Sequence, residues 1–195
     1  MWDDDELAAA IRAASAGDEG GFTVLWRSLQ PAVLRYLRVL VGDAADDVAS
    51  ETWLQAARDL HRFAGDGAAF RGWLFRIARN RAIDERRRAG RRREEPADSF
   101  AEEVTRTRDA AAEMLERSDT EWALGIIASL PSDQAEAVML RVVAGLDVAT
   151  AARVLGKRAG AVRIATMRGL RRLAADPRVR ARGEAPTDLT RTREV

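Results

Sequence analysis

The feature that most constrains this 195-residue chain is the spacing of its large apolar residues, which recur every three or four positions. In the stretch before position 41 they fall at Phe22, Leu25, Trp26, Leu29, Val33, Tyr36, Leu37 and Leu40. Alternating runs of β-branched residues, the signal of strands, are missing from the sequence, and Ala, Leu, Arg and Glu dominate it. The sequence therefore predicts an all-α fold.

The predicted helices group into two small domains joined by an acidic linker. We expect a first domain over 1–93, the linker over 94–121, a second domain over 122–180 and a flexible tail over 181–195. The predicted helices cover about 5–16, 22–40, 44–59, 68–88, 131–143, 147–155 and 159–174. Pro31 predicts a kink or restart, Asp43 an N-cap for the third helix, and the linker at most a transient helix near 110–115.

Charge is sorted into blocks along the chain, although the net charge is only +1. Residues 1–52 carry 10 acidic and 4 basic side chains, and 94–121 carry 10 acidic and 3 basic ones. In contrast, 71–93 carry 10 basic and 2 acidic side chains, and 153–182 carry 10 basic and 1 acidic one. Such segregation indicates separate surfaces for separate partners, with the basic blocks as candidate nucleic-acid contacts. The alternative is ordinary solvated helix faces.

Several classes of chemistry are excluded by composition. The chain has no cysteine, which rules out disulfides, thiolate metal ligands and thiol redox sensing, and His61 is its only histidine. No phosphate loop, catalytic triad or metal-ligand cluster is present in the sequence. We therefore predict a protein that is not an enzyme and needs no metal or cofactor. The acidic start, MWDDDEL, differs from a secretory signal, so we expect a cytoplasmic protein.

Residues 148–167 have the pattern of a helix-turn-helix. The small Ala152 falls where two helices cross, Gly156 falls in the turn, and Val162 falls where the second helix must be buried. The shared core is completed by Val148, Ala151, Leu155 and Ala165. Because the second helix of this motif enters the major groove, its basic residues are candidate DNA contacts. A helical hairpin with a basic surface is the alternative.

The helix predicted over 44–59 has one apolar and one acidic face. The apolar face consists of Ala45, Val48, Ala49, Thr52, Trp53 and Ala56. The other face surrounds Leu54 with carboxylates, an arrangement that suits docking on a basic protein surface. Two alternatives are a solvated face with Leu54 covered by a neighbour, and a metal site, for which no supporting ligands are visible.

The helix that begins near Phe70 is basic. The side chains predicted to face outward from it are those of Arg71, Phe75, Arg76, Arg79, Arg86 and Arg87. An aromatic ring one turn from two arginines can stack an unpaired base while the arginines hold phosphates. Packing of Phe75 on an adjacent helix is an equal alternative. Asn80 either bonds Asp84 or contacts a base edge. The loop before this helix, with Gly65 and Gly67, either pockets a flipped base or simply connects two helices.

Taken together, both halves resemble the sigma factors of bacterial RNA polymerase, in particular the extracytoplasmic-function group. The resemblance rests on DDVASETWLQA at 46–56, RGWLFRIARNRAIDERRR at 71–88, SLPSDQAEAVMLRVVAGLDVATAARVLGKRAGAVR at 129–163 and MRGLRRL at 167–173. It covers roughly 18–93 and 120–175. It implies a protein that binds core polymerase, through its clamp helices and flap region, and directs promoter recognition, strand opening and initiation.

The resemblance also implies a division of labour between residues. The polymerase-binding residues would be Asp47, Ser50, Glu51, Leu54 and Gln55. The residues contacting a melted minus-ten element would be His61, Phe63, Asp66, Arg71, Phe75, Arg76, Arg79, Asn80, Asp84 and Arg87. The residues contacting a duplex minus-thirty-five element would be Lys157, Arg158, Gly160, Ala161, Arg163, Arg168 and Arg171. An anti-sigma protein is a further implied partner.

Two other classes of protein explain part of the sequence. A stand-alone helix-turn-helix regulator accounts for the second domain and predicts tight duplex binding without polymerase. An RNA-binding protein would use both arginine blocks and predicts binding without promoter preference and a steep dependence on salt.

Overall fold

A computed structural model of the chain describes residues 4–94 and 111–184, and over these ranges the fold is entirely helical. The N-terminal domain consists of α1 (Asp4–Ser15), α2 (Glu19–Val41), α3 (Ala45–Asp59) and α4 (Gly67–Glu94). The C-terminal domain consists of α5 (Ala111–Ala128), α6 (Ser132–Val138), α7 (Val148–Leu155), α8 (Ala159–Ala175) and α9 (Pro177–Glu184). The all-α prediction is therefore confirmed.

The N-terminal domain is built around α2, which packs against α1, α3 and α4. Asp18 begins this helix by accepting hydrogen bonds from the backbone N–H groups of Gly20 and Gly21 at 3.0 and 3.2 Å. Gly21 also lets α1 approach closely, because a Cβ there would lie 2.7 Å from the backbone nitrogen of Ala14. The buried side of α2 lies against the apolar faces of its neighbours and forms the core of this domain.

Two helix boundaries in this domain differ from the predicted ones. Of the two alternatives at Pro31, the restart is excluded, since α2 runs unbroken from Glu19 to Val41. Asp43 does not cap α3, because the chain passes from α2 into α3 through a 3-10 turn, Gly42–Ala44, and the residue before α3 is Ala44, with no side-chain cap.

The C-terminal domain packs α6 and α7 against α8, with α5 and α9 beside them. A π turn, Met139–Val143, continues α6, and Gly145 at φ 66° turns the chain toward α7. α8 crosses α6 at Gly169, where a Cβ would lie 2.8 Å from the Cγ2 atom of Val138. This close crossing brings the second helix of the predicted helix-turn-helix onto the domain core.

Two helices extend beyond the predicted bounds of the C-terminal domain. α5 begins at Ala111, inside the segment assigned to the linker, and α9 ends at Glu184, four residues into the segment 181–195 that is predicted to be a flexible tail. The guanidinium of Arg182 lies 4.5 Å from the centre of the Trp122 ring and pairs with Asp119, which holds α9 against α5. The rest of the linker, 95–110, and the tail from 185 lie outside the described residues.

The two domains pack against each other through α2 and α4 on one side and α5, α6 and α7 on the other. Buried apolar residues of both domains form one continuous cluster. An ion pair crosses the boundary, with Arg79 Nε 2.6 Å from Glu136 Oε2. The arrangement therefore places the basic α4 helix directly under the helix-turn-helix.

Candidate nucleic-acid and protein interfaces

α7 and α8 form a helix-turn-helix in which each predicted core position is filled as expected. Ala152, Val162 and Ala165 are buried, and Val148 packs at the edge of the core. Gly156 ends α7 in the left-handed conformation, at φ 64° and ψ 31°, where its N–H bonds the carbonyls of Ala152 and Arg153. The motif thus depends on glycine at this one position.

The residues that the resemblance assigns to duplex DNA lie on the exposed face of α8 and in the turn just before it. All seven are exposed: Lys157, Arg158, Gly160, Ala161, Arg163, Arg168 and Arg171. Gly160 and Ala161 leave the start of the helix without bulky side chains, while arginines follow along its length. This geometry fits insertion of the helix into a major groove, with the later arginines near phosphates.

Asp147 begins α7 and stabilises the motif through hydrogen bonds to one residue. Its carboxylate accepts from the Thr150 hydroxyl at 2.7 Å and from the Thr150 backbone N–H at 2.9 Å. These bonds, the hydroxyl first, lower the pKa of Asp147 below its ordinary value. A lowered folded-state pKa contributes stability above the unfolded-state pKa, and that contribution is lost as the pH falls through the folded-state value.

Replacing Asp147 with alanine is expected to lower the free energy of unfolding by about 1 kcal/mol at about pH 7, because the N-cap is lost. The difference between variant and wild type should shrink as the pH falls through the lowered folded-state pKa of Asp147, where the carboxyl of the wild type takes up its proton. Urea unfolding at neutral pH and at a series of acidic pH values measures this. Asp147→Asn, which keeps a cap oxygen, is the control, and an equal loss at neutral and acidic pH would contradict the charged cap.

The acidic face of α3 is exposed to solvent, as the sequence predicts. The six residues of the apolar face are all buried, and Leu54 on the opposite face is 58% exposed. Asp47 and Ser50 are exposed beside it, and Glu51 is partly exposed. An apolar side chain ringed by carboxylates can bind a protein surface that is basic around an apolar pocket.

Two arginines of α4 border this acidic face, and the sequence analysis did not select them. Arg81 donates to Gln55 Oε1 through Nε at 3.0 Å and through its terminal nitrogen at 2.7 Å. Arg88 lies 3.6 Å from a Glu51 carboxylate oxygen. Gln55 is therefore held by two hydrogen bonds from α4, while Glu51 has only a long, exposed ion pair with it. No local pattern identifies Arg81, because its contact with Gln55 depends on the packing of α4 against α3.

Phe75 does not face outward, which corrects one of the predictions for α4. It is 0% exposed, and its ring packs edge-on against Tyr36 of α2, with 5.4 Å between ring centres. The physical reason is that α4 has neighbours on more than one side, so its buried arc is wider than a single stripe. Of the two alternatives for Phe75, packing on an adjacent helix is the one observed.

The other predicted strand-contacting residues of α4 divide between exposed and engaged positions. Arg76, Asn80 and Arg87 are exposed, and Arg71 and Asp84 are partly exposed. Arg79 is engaged by Glu136 of the C-terminal domain, and its side chain is 21% exposed. The exposed members form a polar and basic surface that fits a nucleic-acid backbone.

The loop before α4 is held by packing and capping. The ring of Phe63 lies 5.3 Å from that of Phe70 and 5.2 Å from that of Trp73, measured between centres. Asp66 accepts a hydrogen bond at 2.8 Å from the backbone N–H of Ala69, so it caps α4. His61 is exposed at the end of the 3-10 turn that follows α3. The loop is thus a structured connection that leaves His61 and Asp66 accessible.

Two further observations bound the chemistry of the described residues. Over 4–94 and 111–184, no three histidine or carboxylate side chains are arranged to hold a metal ion. Within the same ranges, no helix combines the length and apolar character required to cross a bilayer.

Family models match the two domains separately. Residues 25–92 match sigma-70 region 2, which spans α3 and α4, and residues 120–173 match sigma-70 region 4, which contains the helix-turn-helix. α1 lies before the first match, and α9 lies after the second.

Similar proteins cover nearly the whole chain. The ECF RNA polymerase sigma factor SigD of Mycobacterium bovis is 33% identical over 175 residues, which are 87% of this chain and 82% of that protein. The ECF RNA polymerase sigma factor ShbA of Streptomyces griseus is 33% identical over 185 residues, which are 88% of this chain and 97% of that protein.

The fold is shared with proteins whose structures have been solved in complex with a second protein. CnrH, in complex with the cytosolic domain of CnrY, matches with a TM-score of 0.60 and 24% identity, over 89% of this chain and 96% of CnrH. RpoE of Bartonella quintana, in complex with the anti-sigma factor NepR, matches with a TM-score of 0.59 and 23% identity, over 79% of this chain and 94% of RpoE. The two family models and the two 33% identical relatives show that the chain belongs to the sigma-70 family of RNA polymerase sigma factors, in its extracytoplasmic-function group.

Proposed function

We propose that this sigma factor bridges core polymerase and promoter through three surfaces that lie on separate helices. The acidic face of α3 binds the clamp helices of the polymerase largest subunit, α4 and its preceding loop hold the separated minus-ten strand, and α8 reads the minus-thirty-five duplex. The observation that carries the proposal is the coexistence in one chain of an exposed leucine within an acidic rim and an exposed basic recognition helix.

The docking surface on α3 is the best defined of the three. Leu54 supplies the apolar contact, and Asp47, Ser50, Glu51 and Gln55 supply the polar rim. Since Arg81 holds Gln55 through two hydrogen bonds, this side chain has little freedom to lose on binding. An acidic rim favours a basic partner surface, which the clamp helices would provide.

We assign capture of the separated strand to the charged residues of α4, and not to Phe75, whose ring is buried. Arg71, Arg76, Arg79 and Arg87 provide phosphate contacts, and Asn80 provides a polar contact to a base edge. The accessible His61 and Asp66 lie at the loop that leads into this helix. Contacts made only to separated strands stabilise the open state against the few kcal/mol that each unpaired base costs.

Further properties follow from this role. Catalysis belongs to the polymerase, so we propose that this chain is not itself an enzyme. Its place of action is the cytoplasm, where its proposed partner transcribes. An anti-sigma protein is a proposed regulator, by analogy with the complexes that CnrH and RpoE form with CnrY and NepR.

Run-off transcription tests this function. Purified core polymerase and a library of promoter fragments are combined with and without the protein, and the transcripts are mapped. The expected result is a set of specific start sites that appear only when the protein is added. Absence of stimulation, together with tight duplex binding by the protein alone, would favour a stand-alone helix-turn-helix regulator instead.

A further inference from the structure

We propose that Ile164 of α8 selects thymine in the minus-thirty-five element by packing its side chain against the C5 methyl group in the major groove. The inference rests on the proposed function in one respect, because it takes α8 as the helix that enters the groove. It adds what that assignment leaves open, namely one base that the helix prefers and the side chain that prefers it.

The exposed face of α8 is not purely basic. Ile164 is 48% exposed and Met167 is 44% exposed, although both side chains are large and apolar. The buried positions of the same helix are Val162, Ala165 and Gly169, so the domain core takes another side of it. A single exposed isoleucine is ordinary on a protein surface, and its significance depends on what surrounds it.

The surroundings of Ile164 suit a polyanion. Arg163 precedes it, Arg168 lies one helical turn after it, and both are exposed. Lys157 and Arg158 are exposed just before the helix, and α8 itself contains no carboxylate. A partner that covers Ile164 therefore has to accommodate several cations around one apolar side chain. Duplex DNA does so, since its phosphates lie on both sides of the groove in which the bases are exposed.

Gly160 lies one turn before Ile164, and the packing of the protein does not explain it. A Cβ at this position would meet no described atom within 4 Å, and its φ is not in the left-handed region, unlike that of Gly145 and Gly156. Glycine forms helices less readily than alanine, so it is not favoured here by the helix either. Glycine is also found where a backbone approaches a ligand closely. A first turn without a side chain lets α8 lie deeper in a groove, which brings Ile164 within reach of the base edges.

The position of Ile164 along α8 favours contact with a base rather than with a phosphate. It lies in the second turn of a helix that begins at Ala159, and helix-turn-helix proteins contact base edges with the N-terminal part of this helix. In the major groove, the four bases present hydrogen-bonding groups, and the C5 methyl of thymine is the one apolar group. An isoleucine would desolvate the polar edges of the other bases without forming a hydrogen bond. Thymine is therefore the base that fits this side chain.

The neighbouring exposed apolar residues of α8 lie on a different side of the helix. Met167 and Leu170 line an open cleft together with Arg141 and Val148, which come from the segments before and at the start of α7. Ile164 does not line this cleft. A protein seated in the cleft would cover Met167 and Leu170 and leave Ile164 facing the groove.

Deoxyuridine tests the contact with one methyl group, because it pairs as thymidine does and lacks only the C5 methyl. Holoenzyme is assembled from core polymerase and this protein, and single-round run-off transcription is measured at limiting holoenzyme on a promoter whose start site has been mapped. Each thymine of the minus-thirty-five element, on either strand, is replaced in turn. With the wild-type protein, the transcript should fall about fourfold at one position, the factor expected for the burial of one methyl group.

Two variants assign this sensitivity to a side chain. With Ile164→Ala, the thymine and uracil templates should give equal amounts of transcript. Leu170→Ala is the matched control, because it truncates another exposed apolar residue of the same helix, 43% exposed, that lies outside the first two turns. It should keep the fourfold ratio. Since the ratio compares two templates within one variant, a general loss of activity cancels.

Gly160→Ala tests the close approach of the helix. The added methyl group meets open space in the protein and favours the helix, so the Tm should not fall. The ratio of transcription from the intact promoter to that from one with a scrambled minus-thirty-five element should fall by about threefold or more, because contacts in the groove weaken steeply with separation. Gly125→Ala, the same substitution at an open position of α5, should leave this ratio unchanged.

Three results would overturn the proposal. The first is a mapped minus-thirty-five element without thymine on either strand. The second is a wild-type protein that responds to scrambling of this element but to no uracil substitution. The third is an Ile164→Ala variant that keeps the full fourfold ratio, which would assign the methyl contact to another residue. In all three cases protein-dependent initiation would stand, whereas the absence of any protein-dependent transcript would contradict the proposed function itself.

Discussion

Replacing Phe75 with alanine is expected to lower the free energy of unfolding by about 3–5 kcal/mol, as for other large buried aromatic residues. The ring is 0% exposed and packs edge-on against Tyr36, which is also 0% exposed, so truncation removes buried apolar area and leaves a cavity between α2 and α4. Urea unfolding followed by circular dichroism of the whole chain measures the loss.

Two further variants separate packing from nucleic-acid contact at this site. Arg76→Ala, at the adjacent exposed position, should change the free energy of unfolding by no more than about 0.5 kcal/mol, as surface substitutions usually do. Phe75→Leu, which keeps much of the buried volume, should cost less than the alanine variant. If Phe75→Ala were as stable as the wild type and lost only single-strand binding, the ring would be a stacking surface rather than part of the core.

The second large effect is expected at Leu54, where Leu54→Arg should weaken binding to core polymerase at least 30-fold, about 2 kcal/mol. Leu54 is 58% exposed at the centre of the acidic face of α3. The substitution removes the apolar contact and sets a positive charge against a partner surface that is expected to be basic. Because the side chain is exposed, the fold should be unaffected.

Titration of labelled protein with core polymerase, read by fluorescence anisotropy, measures this affinity. Ala9→Arg is the control, since it adds the same charge at an exposed helical position outside the segment that matches sigma-70 region 2. Equal binding by the Leu54→Arg variant and the wild type would show that the polymerase docks elsewhere. A loss of affinity with both Leu54→Arg and Ala9→Arg would show that the added positive charge, at either position, is what weakens binding.

The sequence predicts best those elements that have one buried face. In α3, all six residues predicted to be apolar contacts are buried, and Leu54 is exposed, because the helix packs on the domain from one side only. The helix-turn-helix is equally predictable, since a small residue at the crossing and a glycine in the left-handed turn are local requirements of the backbone.

Elements in contact with several neighbours are not predictable in this way. α4 packs against α2 and α3 on one side and α7 on another, so a single apolar stripe placed Phe75 outward. Similarly, α9 has little apolar character of its own, and a stacked and ion-paired Arg182 holds it to α5. The partner of Arg182 is more than sixty positions away in the chain, which local patterns cannot reveal.

The same limit applies to the boundary between the domains. Arg79 and Glu136 are both of a residue type that is expected on a solvated helix face. Only the tertiary structure brings them together. Gly72 likewise has no local turn to explain it, because it lies within a regular helix, and its reason is the neighbouring Thr150. Charge segregation in the sequence identified the acidic and basic surfaces. The contacts between the two domains could be found only from the tertiary structure.

Single-round run-off transcription shows whether one chain directs polymerase to a promoter by contacting both promoter elements. Three templates are compared with core polymerase and the protein: a mapped promoter, the same promoter with a scrambled minus-ten element, and the same promoter with a scrambled minus-thirty-five element. We predict a specific transcript from the intact template that requires the protein and falls at least tenfold when either element is scrambled. A transcript that forms without the protein, or that is unchanged on both scrambled templates, would contradict the claim.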